Sequence, residues 1–393
     1  MGIRKNKAIL AGKVCLLFIL LLVGLTIVGC VGIRSTPGGG SGGTIADSTL
    51  FLSPTLKQAD GMGCACPSAP ATEGKLVALD TSDGSRLWEV PLEASAPAGG
   101  GFGCAPAATP VAVYGSPAVA GDLVYVGGYN GKVYAINSAS GALRWVYPRE
   151  GNLKPIVSGV VTALGKIYFG CSDGKVYALD AVTGDKLWEF TTGGKIWATP
   201  AIDDQTLYIG SFDKKLYALS ASEGSKQWEF ESEGAIASTP LVYNNMVYIG
   251  SFDRHLYAIG ASDGKVRWQF LAERWFWTRA VVYNSTIYAG CFDGRVYAFG
   301  AENGEKLAEF DLGSPVYSWP VLVDDKVIVA TEEGEVYEID TVNNQEKLLA
   351  NVGEAVYAPL CASGGVIYIY GGQQNLYALD AVSGAKLWSQ TIK

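Results

Sequence analysis

The sequence predicts an all-β protein, an eight-bladed β-propeller of four-stranded antiparallel blades. One short pattern recurs eight times, best formed as Ala178-Leu179-Asp180-Ala181-Val182-Thr183-Gly184-Asp185-Lys186-Leu187-Trp188. Its closing tryptophan or the equivalent falls at Trp88, Trp145, Trp188, Trp228, Trp268, Ala308, Leu348 and Trp388, evenly spaced from Trp188 onward. A fixed period of about 40 residues marks a repeat architecture. Seven copies place glycine at the last turn (Gly84, Gly141, Gly184, Gly224, Gly264, Gly304, Gly384) and the eighth places Asn344. These residues tolerate positive φ best.

Residues 199–228 show why each unit reads as a blade. Thr199-Pro200-Ala201-Ile202 starts a short strand, Leu207–Ser211 makes a second, Leu216–Leu219 a third and Lys226–Phe230 a fourth. Runs rich in Val, Ile, Tyr and Leu between Asp/Gly turns form an antiparallel meander. A four-stranded sheet of this size cannot bury both faces alone, and ring closure lets each blade cover its neighbours. The tryptophans suit positions between blades, where the ring is buried and its N–H finds an acceptor. Ala308 and Leu348 lack that ring, so blades six and seven should be held less tightly.

The chain starts differently. Arg4, Lys5, Lys7 and Lys13 precede an apolar run from Val14 to Val28 that ends in Gly29-Cys30. A basic start, an apolar stretch and small residues at its end make an export signal over residues 1–30. Ile27-Val28-Gly29-Cys30 resembles a bacterial lipobox, which implies lipidation of Cys30 and an extracytoplasmic, membrane-anchored protein. An uncleaved signal anchor is the other reading, and it puts the propeller on the same side. Residues 31–43 are Gly/Ser-rich and read as a tether with a reach of roughly 20 Å, leaving 44–393 for the propeller. The whole chain has net charge −8. Losing the four leader cations, with no Asp or Glu among residues 1–29, takes this to −12. So acidic a surface repels phosphates, which excludes nucleic acid as a partner class.

Two departures from the repeat stand out. The interval from Trp88 to Trp145 is longer than any later one, and extra chain also lies between Leu52 and Leu76. These excursions hold Cys64, Cys66 and Cys104. In an exported protein they are disulfide candidates, Cys104 pairing with Cys64 or Cys66. An exchanging thiol comes second, and no histidine lies nearby to complete a zinc site. Cys171, Cys291 and Cys361 read as buried small hydrophobes.

The second departure concerns the residues three before each inner strand: Tyr114, Ile156, Trp197, Ala237, Trp277, Tyr317 and Tyr357. One repeat phase places them in a ring at the mouth of the central channel. Arg274, Trp275 and Arg279 occur where the preceding repeat has Gly234, Ala235 and Thr239, and Trp319 occupies the same threonine phase one blade later. Aromatic residues and arginine are enriched at binding hot spots, which makes Trp197, Arg274, Trp275, Trp277, Arg279, Tyr317, Trp319 and Tyr357 candidates for partner binding. Packing of the same rings between blades is the competing reading. Asp173, Asp213, Asp253 and Asp293 recur in step with the repeat and read as turn formers, and His255 as an exposed residue without chemistry.

The pattern Ala-x-Asp-x-x-Thr-Gly-x-x-x-Trp is complete at Ala178–Trp188 and nearly so at Ala378–Trp388. It resembles the tryptophan-docking repeat of the pyrroloquinoline quinone (PQQ) dehydrogenases and of their non-enzymatic, BamB-like lipoprotein relatives, over roughly residues 44–393. The resemblance implies a PQQ-like propeller and leaves activity open. Under the scaffold reading the protein is a lipid-anchored, non-catalytic platform in envelope or outer-membrane protein assembly. It then binds another envelope protein, meets the membrane through its N-terminal lipid and uses no cofactor or metal. The alternatives are a quinoprotein oxidoreductase with PQQ and calcium, or a ligand- or carbohydrate-binding propeller. The enzyme reading suffers because Cys64 and Cys66 are not adjacent and the family's calcium ligands and catalytic aspartate find no counterpart, so no catalytic residue is assigned.

Overall fold

In the computed structural model, residues 41–54, 74–92 and 112–392 are described. They form thirty-two strands in eight four-stranded sheets, with no helix among the described residues. Each sheet is a meander of four consecutive strands, so each is one blade: 44–91, 118–147, 160–191, 201–231, 241–271, 281–311, 321–351 and 361–391. The short first strands adjoin one another about the axis, and that of blade 8 adjoins that of blade 1. The predicted eight-bladed propeller is therefore the fold. The leader, Cys30, residues 31–40 and Cys64, Cys66 and Cys104 lie outside the described residues. The tether assigned to 31–43 gives up its end to the packed domain. Ser41 is buried and donates to the Ser53 carbonyl (2.6 Å), and a Cβ on Gly42 would stand 2.6 Å from the Pro359 ring.

Burial follows position in the blade. The second and third strands are buried on both faces, as in Leu207–Gly210 and Leu216–Leu219 of blade 4, because a neighbouring blade covers each side. Outer strands alternate exposed and half-buried residues. The core is accordingly a set of apolar layers, each shared by two consecutive blades. One of them joins blade 8 to blade 1, packing Tyr368, Leu376 and Trp388 with Leu50, Val77 and Leu79. Among the described residues no sheet mixes strands from the two ends of the chain, so this layer and its hydrogen bonds close the ring.

The tryptophans dock as expected. Trp188 Nε1–H donates to the Ala221 carbonyl of the next blade (3.2 Å), and Trp228 and Trp268 donate likewise to Ala261 and Ala301. Trp388 closes the ring onto Thr81 (3.2 Å). A tyrosine from the second strand shares each acceptor, as Tyr168 does at Ala221 (2.9 Å). Burial pushes the Tyr168 phenol up to about 12, which keeps it a donor. The glycine of the receiving turn is doubly required. Gly224 has φ +72°, and a Cβ there would lie 2.5 Å from the Trp188 ring.

Blade 7 departs from the expected register. Elsewhere one outer-strand residue bulges just before the tryptophan, so that Ala218 faces Trp228 and Leu219 faces Lys226. In blade 7 the bulge moves to Leu349, and Leu348 faces Tyr337. Leu348, assigned above as the tryptophan equivalent, is instead 50% exposed, while Leu349 is buried at 9% and meets Gly384 of blade 8. The cause is local. Glu338 stands where the other blades have alanine, opposite tryptophan in all but blade 6, and its buried carboxylate pairs with Lys326. An indole at the usual site would collide with this longer side chain.

Blade 6 has Ala308 in the tryptophan place, and the receiving position in blade 7 is Asn344 at φ +52°. The two changes belong together, because a Cβ on a receiving glycine overlaps the ring. Ala308→Trp combined with Asn344→Gly is expected to raise stability by about 1–2 kcal/mol through added apolar burial. Ala308→Trp alone should give no gain. Thermal unfolding of wild type and both variants checks this, and equal stabilisation with and without Asn344→Gly would refute the steric coupling.

Candidate partner-binding rim

Two segments of each blade meet on one face of the disc: the turn between the second and third strands, and the link that leads into the blade. Backbone bonds tie them together, Phe212 N–H to the Lys195 carbonyl (2.9 Å), Phe252 N–H to Ala235 (3.0 Å) and Phe292 N–H to Trp275 (3.1 Å). The turn aspartates complete the joint. Asp213 accepts from Lys215 N–H (3.0 Å), the Tyr217 hydroxyl (2.7 Å) and Gly193 N–H (2.6 Å). Asp253 repeats this with His255, Tyr257 and Glu233. Burial raises the pKa of Asp253, but these bonds to the charged form outweigh it and hold the carboxyl below its ordinary value. Asp173 and Asp293 accept from their own turns in the same way, so the four aspartates are turn formers on separate blades. In blade 8 the turn holds Gln373 instead, and buried Glu354 accepts from Gln373 N–H, the Asn375 amide (2.9 Å) and the Tyr377 hydroxyl (2.6 Å).

These joints hold a continuous track of aromatic rings. Trp197 meets Phe212 edge-on at 4.5 Å, and Phe212 meets Phe252 at 5.8 Å. Phe252 stacks on both Trp275 and Trp277 at 5.0 Å. Trp277 leads to Phe292 (6.2 Å), then Tyr317 (4.3 Å) and Tyr357 (5.4 Å), whose hydroxyl donates to Glu332 (3.1 Å). Of the predicted residues, the structure therefore joins Trp197, Trp275, Trp277, Tyr317 and Tyr357. The sequence reading misses Phe212, Phe252 and Phe292 as ring members. Their signal is the Phe-Asp dipeptide that recurs once per repeat in blades 4 to 6, in which the aspartate alone drew weight.

Exposure separates roles within the track. Trp275 is 43% exposed and Arg274 is exposed beside it, whereas Trp277 is buried at 8%. Trp319 does not belong to the rim. It is 5% exposed and packs on Val161 and Ile202 of blades 3 and 4, so it crosses the central channel from blade 7. Arg279 occupies the same repeat phase, half-buried, and burial lowers its pKa below the ordinary value. Ile156 is also displaced from its assigned ring position. It is fully buried against Gly127, as Ile196 is against Gly170, and Val157 takes the phase of Trp197. His255 is half-buried rather than exposed, with Nδ1 3.2 Å from Asp253.

Cys171, Cys291 and Cys361 are buried thiols, and burial pushes Cys171 up to about 12. Among the described residues no cluster of His, Cys, Asp and Glu has the makings of a metal site. Among the described residues no carboxylates converge in the way a quinone with calcium would require. Trp319 crosses the central channel.

No curated protein sequence matches the chain. Among solved structures, BamB from Moraxella catarrhalis superposes with a TM-score of 0.65 at 19% identity, covering 87% of this chain and 94% of that one. The computationally designed Ika8 protein superposes with a TM-score of 0.61 at 15% identity, covering 91% and 98%. Both likenesses establish the fold. The family model described as outer membrane protein assembly factor BamB matches residues 68–196, 172–314 and 292–392, and the chain belongs to that family.

Proposed function

We propose that this protein is a lipid-anchored, non-catalytic scaffold of the cell envelope whose aromatic rim holds another envelope protein during outer-membrane protein assembly. The observation that carries this is exposed Trp275 in the middle of the ring track, at a position where the preceding repeat has Ala235. Repeats build the disc, and a departure toward a large exposed aromatic supplies a hot-spot residue the disc does not need. Family membership and the Gly29-Cys30 export motif support the same reading. Fatty-acid labelling should mark the wild type and leave Cys30→Ala unlabelled. A photo-crosslinking residue in place of Trp275 should join the protein to a β-barrel assembly component of the outer membrane. Equal labelling of both proteins would remove the anchor. A source cell with a single membrane, or crosslinks confined to cytoplasmic proteins, would remove the assembly role.

A further inference from the structure

We infer that the rim is electrically polar and fits one extended peptide segment of the partner that is acidic at one end, apolar in the middle and basic at the other. This rests on the scaffold reading and says what the rim recognises. Lys195, Lys214, Arg254 and Arg274 are all exposed on the tips of blades 4 to 6, beside Trp197, Phe212, Phe252 and Trp275. Among the described residues none of the four side chains forms an ion pair or hydrogen bond. Two cations that open the third strands beside these tips are by contrast already neutralised: Lys215 by Glu229 (2.6 Å), and Arg295 by Glu273 (3.2 Å) and Glu309 (3.2 Å). The turn aspartates do not cancel the four outward charges, because Asp213 and Asp253 point into their own turns and are consumed by backbone and tyrosine donors. Among the described residues Glu233 is the one exposed, unpaired carboxylate on these tips.

The other end of the track has the opposite sign. The tip of blade 7 reads Thr331-Glu332-Glu333-Gly334-Glu335, and the blade 7 and 8 tips contain no Lys or Arg. Glu332 touches the track through Tyr357, and Glu333 is exposed. The ring-to-ring steps from Trp197 to Tyr357 amount to about 30 Å of path at most, which an extended chain spans in about nine residues. Carboxylates over blades 4 to 6, apolar side chains on exposed Trp275 and the half-buried rings beside it, and cations by Glu333 satisfy every feature at once. Complementary potentials of this kind set register and exclude wrong partners.

The test uses the full chain in detergent and three fluorescent nine-residue peptides with the same Leu-Phe-Leu centre. One is acidic at one end and basic at the other, one has neutral polar ends, and one is acidic at both ends. The dipolar peptide should bind at least 10-fold more tightly than the neutral one at low salt. Lys214→Glu with Arg254→Glu should erase that gain, and Glu333→Lys should move the preference to the doubly acidic peptide. All these positions are exposed, so melting temperatures should not move. Equal affinity for the three peptides, or an unchanged ranking in the variants, overturns the inference. So does charge-dependent binding to anionic phospholipid vesicles without peptide binding, judged against Lys214→Glu with Arg254→Glu, since any lipid anchor contributes equally to both proteins. Trp275→Ala separates the two levels. If it abolishes binding of peptides that otherwise bind alike, only the polarity fails, and if it changes nothing, the rim itself is not the binding surface.

Discussion

Trp188→Ala is expected to destabilise the propeller by about 3–5 kcal/mol, the range for truncating a large buried aromatic. The indole lies in the layer between blades 3 and 4 with Ile196, Leu207 and Tyr217. Burial of roughly 200 Å² at about 25 cal/mol per Å² sets an upper estimate near 5 kcal/mol. Two further losses add to the transfer term. The Ala221 carbonyl loses one of its three side-chain donors, keeping Tyr168 and Lys166, and the space over Gly224 is left empty. Gly224→Ala tests the same junction from the other side. It forces an L side chain into φ +72° and drives a Cβ to 2.5 Å from the ring. In the double variant the ring is gone and only the backbone cost of about 1–2 kcal/mol remains. The two changes should therefore be strongly non-additive, as for residues in contact. Chemical unfolding of the two single variants and the double variant measures this, and simple additivity would show that the glycine is not there to receive the ring.

That junction also shows what can be read from the chain. A strict period exposes the tryptophan, the positive-φ turn residue and the buried strands, because each depends on neighbours fixed by the repeat itself. What escapes depends on irregular filling. Counting selects Leu348, yet Glu338 at an alanine position moves the bulge and passes the docking place to Leu349. Counting also misplaces Ile156 by one, because Trp145 and Trp188 lie farther apart than the later tryptophans and the link into blade 3 is longer. Trp319 shares the threonine phase with Arg279, but no local pattern reveals that its ring reaches Val161 across the channel. The rim itself is half legible. Its link residues stand out as departures from the repeat, whereas Phe212, Phe252 and Phe292 are hidden by recurring in step with it.

Within the rim, the two neighbouring tryptophans should behave in opposite ways. Trp275→Ala is expected to weaken partner binding by about 2 kcal/mol or more, roughly 30-fold, with little change in melting temperature. Its ring is 43% exposed and makes only one-sided contacts, with Phe252 at 5.0 Å and Phe292 at 6.3 Å. Removing it strips the face a partner would cover and leaves no enclosed cavity. Trp277 is 8% exposed and stacks between Phe252 and Phe292, so Trp277→Ala opens a hole beneath the track. About 3 kcal/mol of stability should be lost, as for aromatic truncation in a core, and affinity should fall only as far as the rings above it shift. Thermal unfolding and affinity for the crosslinked partner, measured on both variants, separate a surface that binds from one that merely packs. If Trp275→Ala lowers the melting temperature and leaves affinity intact, the exposed ring is part of the scaffold, and the partner is held elsewhere on the disc.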